Sequence, residues 1–167
     1  MALAKENLAL LADFAKAEGA VLCIENLPRT CLGNCSDEIL KLLALDDSLM
    51  ACFDTNHLLS EDPADFVRKV GKRIITTHIS DTDFINERHW LPGEGRVDWT
   101  ALIAAMKEIG YTGVWMYEIG PKCPDSILRK RDIELTDYVL NANELFEGKN
   151  PPLFSTPHPN PPKGYWP

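Results

Sequence analysis

The chain has 167 residues, 45% hydrophobic and 25% charged, which is enough apolar material for the core of about one domain. Its formal charge of −8 disfavours the clustered basic footprint that nucleic-acid binding needs and leaves neutral or metal-bound small molecules as the easier ligands. No apolar run approaches the roughly 18 residues of a membrane span, and five scattered cysteines read as reduced thiols of a cytoplasmic protein, not as a disulfide framework.

Residues 2 to 18 show helical periodicity through Leu8, Leu11 and Ala15, with Leu10 and Phe14 beside them, and stop at Gly19. Lys5, Glu6 and Asp13 make this an amphipathic helix and not a secretory signal. "AVLCIENL" predicts a short buried strand, and "SDEILKLLAL" a helix capped by Ser36. Between them, Cys31 and Cys35 form a lone C-x3-C pair without the two further ligands a zinc site needs nearby. "LMACFDTNH" predicts a second strand. "DPADFVRKVG" predicts a helix, with Pro63 in its first turn and Gly71 as its stop. "RIITTHISD" is a third strand, "DWTALIAAMKEIGY" a helix, "GVWMYEIG" a fourth strand, and about Ser126 to Phe146 a long helix. Apolar strands alternating with helices indicate an α/β fold with a parallel sheet and right-handed crossovers. Residues 147–167 are proline-rich and predict an extended arm outside the core.

The four strands end alike, on Glu25, Asp54, His78 and Glu118. Two residues earlier, on the same side of each strand, stand Cys23, Cys52, Thr76 and Met116, all suited to a packed inner layer. In parallel α/β folds, ligands gather at the carboxyl ends of strands. Any one of these residues alone reads as a helix cap, a solvated loop residue or a core histidine. Four in matching positions can converge on one point, and three carboxylates buried together demand a cation. Two Glu, one Asp and one His suit Mn²⁺, Mg²⁺ or Co²⁺, and Zn²⁺ is also compatible.

"LCIENL", "CFDTNH", "THISD", "LPGEGRVDW" and "WMYEI" resemble the second half of the xylose isomerase-like (β/α)8 barrels, over about residues 1–146. That superfamily holds sugar isomerases, sugar 3-epimerases, inositol-catabolism enzymes and the endonuclease IV nucleases. The resemblance implies a TIM-barrel-type half barrel of four parallel strands with flanking helices, followed by the tail. It places a single divalent metal on Glu25, Asp54, His78 and Glu118, and puts His57, of the D-x-x-H motif, beside a sugar or sugar-phosphate substrate. The implied reaction is isomerisation or epimerisation by proton abstraction next to a carbonyl. Glu25 and Glu118 approach from opposite sides, one removing a proton and the other returning it.

The resemblance also frames the alternatives. The nuclease branch holds further metals with a carboxylate-x-His pair, here Glu87-Arg88-His89, so an endonuclease IV-like zinc phosphodiesterase is the rival reading. The acidic charge and the lack of early-strand histidines weigh against it. Several epimerases carry a substrate-binding Arg six positions after the strand-end His, where this chain has Phe84; Arg88 is the candidate replacement. A full barrel needs eight strands. The resemblance starts the chain at the helix before the fifth strand, which leaves open a fragment, a truncated product, a non-catalytic remnant or a half that pairs with another; Met1 fits a natural start. Open sheet edges predict a homodimer or a complementing half barrel. Carboxylate crowding favours face-to-face packing of two copies over edge-to-edge closure, with Phe154, Tyr165 and Trp166 of the tail as anchors on the neighbour.

Overall fold

The computed structural model of the chain describes residues 2–158. Its elements run α1 (Ala2–Ala17), β1 (Cys23–Glu25), α2 (Ser36–Leu43), β2 (Met50–Asp54), α3 (Pro63–Val70), a 3₁₀ turn (Gly71–Arg73), β3 (Ile74–His78), α4 (Trp99–Glu108), β4 (Ile127–Arg129), α5 (Leu135–Phe146) and β5 (Ser155–Pro157). Strands β1, β2 and β3 form a parallel sheet in that order. With the flanking helices it makes a partial (β/α) barrel.

Apolar alternation builds the layer between sheet and helices. Leu49, Ala51 and Phe53 are fully buried against Phe66 and Val67 of α3, and the Phe53 and Phe66 rings stack at 5.4 Å. Asp62 caps α3 by accepting from the backbone N–H groups of Ala64 and Asp65, and Asp98 caps α4 through Ala101. Ser36 does not cap α2 as expected. Cys35 holds that position, and the Ser36 hydroxyl and N–H are both donated to Glu61.

The expected fourth strand is present as a direction but not as a ladder. Residues 113–118 touch β3 and its extension through parallel bridges at Thr76–Val114 and Ile79–Tyr117. The Thr77 hydroxyl explains the gap: it donates to the Val114 carbonyl at 2.9 Å and accepts from the Met116 N–H at 3.2 Å, groups a backbone ladder would otherwise use. The pairing resumes beyond, where Ile79 N–H reaches the Met116 carbonyl and Glu118 N–H the Ile79 carbonyl.

Two further expectations are corrected. The long helix begins at Leu135, not Ser126, because β4 pairs antiparallel with β5 and uses residues 127–129. The tail therefore starts by folding back on its own chain. Phe154 lies under the Arg131 guanidinium at 4.5 Å; Tyr165 and Trp166 lie outside the described residues. In α1 only Ala12 is buried among the described side chains, while Leu3, Leu10, Leu11 and Phe14 are exposed. Its apolar face has no counterpart in a partial barrel.

Candidate metal centre

Strand register sets Asp54 and His78 side by side and Glu25 two residues back from that level. Glu25 stands opposite Cys52, and Asp54 opposite His78. The resumed pairing at Ile79 then places Glu118 beside them. One ligand atom from each of Glu25, Asp54, His78 and Glu118 lies within 4.8 Å of the others. His78 Nδ1 is the hub, 3.2 Å from Glu25 Oε1, 3.7 Å from Glu118 Oε2 and 3.8 Å from Asp54 Oδ2.

The polar accounting of this cluster fits a site that could hold a cation. Asp54 is fully buried, yet its Oδ2 has no hydrogen-bond partner, and neither does His78 Nδ1. Buried polar atoms are seldom left so. Asp54 Oδ1, in contrast, accepts from the backbone N–H groups of Asn56 and His57, which fixes the carboxylate with its bare oxygen inward. Burial, then the close approach and charge of the Glu118 carboxylate and the charge of Glu25, push the Asp54 carboxyl far above the usual carboxylate range. The cluster is strained without positive charge and suited to holding it. The inner layer beneath is partly closed: Cys52 is buried, Cys23 and Thr76 are half-buried, and Met116 is exposed. Burial, followed by the charges of Glu25 and Asp54, pushes the Cys52 thiol up to about 12, so it remains protonated.

Asparagines that the sequence reading passed over hold these ligands in place. Asn26 is fully buried and clamps the Asp54 backbone from both sides, donating to its carbonyl and accepting from its N–H, each at 2.8 Å. The Asn26 carbonyl accepts from His57 Nδ1 at 2.9 Å. A carbonyl can only accept, so Nδ1 is the donor here and Nε2 is left for another partner. His57 thus lies at the cluster's rim, with Nδ1 3.4 Å from both Glu25 Oε1 and Asp54 Oδ2. Thr55 ties the ends of β2 and β3 together, donating to the Ser80 carbonyl and accepting from the Ser80 N–H. The dipeptides "EN" and "TN" directly after strands were the available signal.

Glu87, Arg88 and His89 are engaged elsewhere. Glu87 pairs with Arg29 at 2.7 Å. Arg88 grips Asp83 through Nε and NH2, each at 2.8 Å, and lies over Trp90. His89 bonds Asn56 and the Glu118 backbone. Among the described residues, neither cluster of candidate ligands includes Glu87 or His89. Phe84 is half-buried and packs against the hydrophobic core.

The "PGEG" loop is organised by Asp81, another residue the sequence reading did not single out. Its buried carboxylate accepts from the N–H groups of Thr82, Gly93 and Val97 and from Trp99 Nε1. Gly95 passes so close that a Cβ there would overlap Asp81 Oδ1 and the Thr82 carbonyl. Glu94 accepts from the Leu91 N–H and forms a fully buried two-point pair with Arg129, which ties the loop to β4. A cavity of about 430 Å³ lined by Gly93, Trp99, Leu145 and Pro151 lies behind this loop, and none of the four cluster residues lines it.

Residues 1–136 match the xylose isomerase-like TIM barrel family. Over 146 residues the chain is 32% identical to an uncharacterized protein of Methanocaldococcus jannaschii, covering 83% of this chain and 49% of that one. It is 29% identical to the fructoselysine 3-epimerase of Escherichia coli O157:H7 over 120 residues, 68% of this chain and 44% of the relative. Its structure superposes on a D-tagatose 3-epimerase-like protein with a TM-score of 0.68 at 25% identity, covering 86% of this chain and 52% of the other. The chain thus spans about half the length of these relatives.

Proposed function

The chain belongs to the xylose isomerase-like TIM barrel family, and on that premise we propose that it carries the metal-binding, proton-transferring half of a sugar epimerase site. The observation that carries this reading is the pair of buried, unpartnered atoms, Asp54 Oδ2 and His78 Nδ1, converging with Glu25 and Glu118. Glu25, Asp54, His78 and Glu118 would hold one divalent ion, with Mn²⁺, Mg²⁺ or Co²⁺ favoured by the oxygen-rich set and Zn²⁺ compatible. When bound, the ion supplies Lewis-acid polarisation of neighbouring substrate oxygens. Two relatives carrying 3-epimerase in their names support a ketose, free or conjugated, as the substrate class, with inversion at C3.

The chain's own residues divide the work. Glu25 and Glu118 come from opposite ends of the row of strands. One removes the proton from the carbon next to the carbonyl, and the other delivers a proton to the opposite face. His57, with its Nδ1–H donated to the Asn26 carbonyl, offers Nε2 as an acceptor to a substrate hydroxyl. The five free thiols fit a reducing compartment such as the cytoplasm, and no helix among the described residues is long and apolar enough to cross a membrane. The phosphodiesterase alternative gains no support, since Arg29 and Asn56 occupy the side chains that would hold further metals.

The test is isotope exchange in D₂O. The Mn²⁺- or Co²⁺-loaded chain is incubated with D-tagatose, D-fructose and fructoselysine, and deuterium at C3 is read by NMR. Exchange is expected with one of them, and Glu25→Gln and Glu118→Gln should each cut it by roughly 10²- to 10⁴-fold. Undiminished exchange in the double variant would remove both residues from the mechanism.

A further inference from the structure

His89 is held in a conformation that a histidine rarely adopts. Its φ of 50° lies in the left-handed region, where a side chain costs energy unless the surroundings compensate. The compensation comes from the buried Asn56. Asn56 Oδ1 accepts from the N–H groups of Arg88 at 2.7 Å and His89 at 3.2 Å, which fixes the orientation of the amide. Its Nδ2 must then be the donor to His89 Nε2 at 3.1 Å. On the other side of the ring, Nδ1 is 3.0 Å from the Glu118 carbonyl oxygen, which can only accept. Nδ1 is therefore the donor and Nε2 the acceptor, and both nitrogens are occupied.

We propose that His89 is a positioning residue: it fastens the Glu118 backbone to the Asn56 loop after β2, and so sets the place of the Glu118 carboxylate relative to Asp54 and His78. The need is physical. The segment carrying Glu118 lacks a continuous ladder to β3, and its side chain is about half exposed. His89 supplies the cross-link that the missing ladder would give. A ring with both nitrogens committed is not free to ligate a second metal, so the inference also makes the centre mononuclear. It rests on the proposed metal reading only where metal affinity is concerned; the cross-link itself can be read in metal-free protein.

The four histidines of the chain make the test tractable. Long-range ¹H–¹⁵N correlation on the full, ¹⁵N-labelled chain is expected to show His89 as the Nδ1–H tautomer. Zn²⁺ should shift Nδ1 of His78 and leave His89 Nε2 in place, and titration should end at one equivalent. A Zn²⁺-induced shift at His89 Nε2, or two equivalents bound, would overturn the proposal. Two variants separate positioning from mere folding, since Asn and Gly both tolerate the left-handed backbone. His89→Asn keeps a side-chain N–H near the place of Nδ1 and should bind Zn²⁺ within about threefold of the parent. His89→Gly keeps only the backbone and should lose roughly 10- to 100-fold, the range seen when groups supporting a metal ligand are removed. Equal affinity in the two variants would overturn the assignment. If His78 does not respond to metal at all, the metal reading fails by itself. The cross-link is then judged on the Glu118 carbonyl ¹³C resonance, which must move in His89→Gly and stay in His89→Asn.

Discussion

Asp54 shows how one residue can be both a stability cost and a functional asset. Protonation favours its buried, folded form, because its carboxyl lies well above the ordinary range through burial and the nearby Glu118 and Glu25. The metal-free chain binds this proton more tightly when folded. Its stability is therefore fully present below the ordinary carboxylate range and falls as pH rises toward the raised value. Thermal melts of metal-free protein should show Tm declining across that interval, and Asp54→Asn should flatten the decline. A divalent ion should restore stability near neutral pH, by about 2.7 kcal/mol at a free concentration one hundred times its Kd. An unchanged slope in Asp54→Asn would assign the pH dependence to another group. The four cluster residues were legible in the sequence because each closes a strand. Asn26 and Asn56 were not, because a polar residue after a strand is the commonest thing a loop contains; only the fold shows that their amides bind the Asp54 and His89 backbones.

At the scale of elements, α2, α3, α4 and the first three strands follow from apolar spacing and end signals within about three residues. The departures have local causes. Thr77 intercepts the backbone groups of the fourth strand, and the β4–β5 pair takes the residues expected to start the last helix. Neither a side-chain hydroxyl competing with a ladder nor a strand pairing across 25 residues leaves a periodic trace in sequence. The "PGEG" loop was recognised as a motif, but its anchor, Asp81, reads from sequence as an ordinary residue after a strand. Four N–H groups converge on that carboxylate. Asp81→Asn turns one acceptor oxygen into a donor facing them, and is expected to cost about 2–3 kcal/mol in urea unfolding. Gly95→Ala should be at least as damaging, since the added methyl overlaps Asp81 and Thr82 and backbone must move. Retained stability in both would show that the loop is held by Glu94 and Arg129 instead.

At the scale of the molecule, ten of the exposed large apolar side chains gather in three places. Leu3, Leu10, Leu11 and Phe14 are on α1, which precedes the edge strand β1; Leu135, Val139, Leu140 and Phe146 are on α5, which follows the opposite end of the row; Val114 and Met116 lie on the fourth segment itself. Two copies packed face to face would cover the sheet but leave both flanking helices in water. A partner that closes the ring covers all three places and pairs the free edge of β1. Flank exposure therefore argues for ring closure, against the carboxylate crowding that favours face-to-face packing. A partner half like the portion of the relatives that this chain does not span would meet both demands, by covering the flanks without bringing a second set of the same acids. In its absence, copies of the chain should associate through the helix flanks. Light scattering at micromolar concentration should give a mass above 18.7 kDa, and Leu10→Glu with Phe14→Glu should lower it with little change in the circular dichroism of the fold. A monodisperse 18.7 kDa species, stably folded with α1 intact, would show that the chain tolerates its open flanks and needs no partner to hold its partial barrel together.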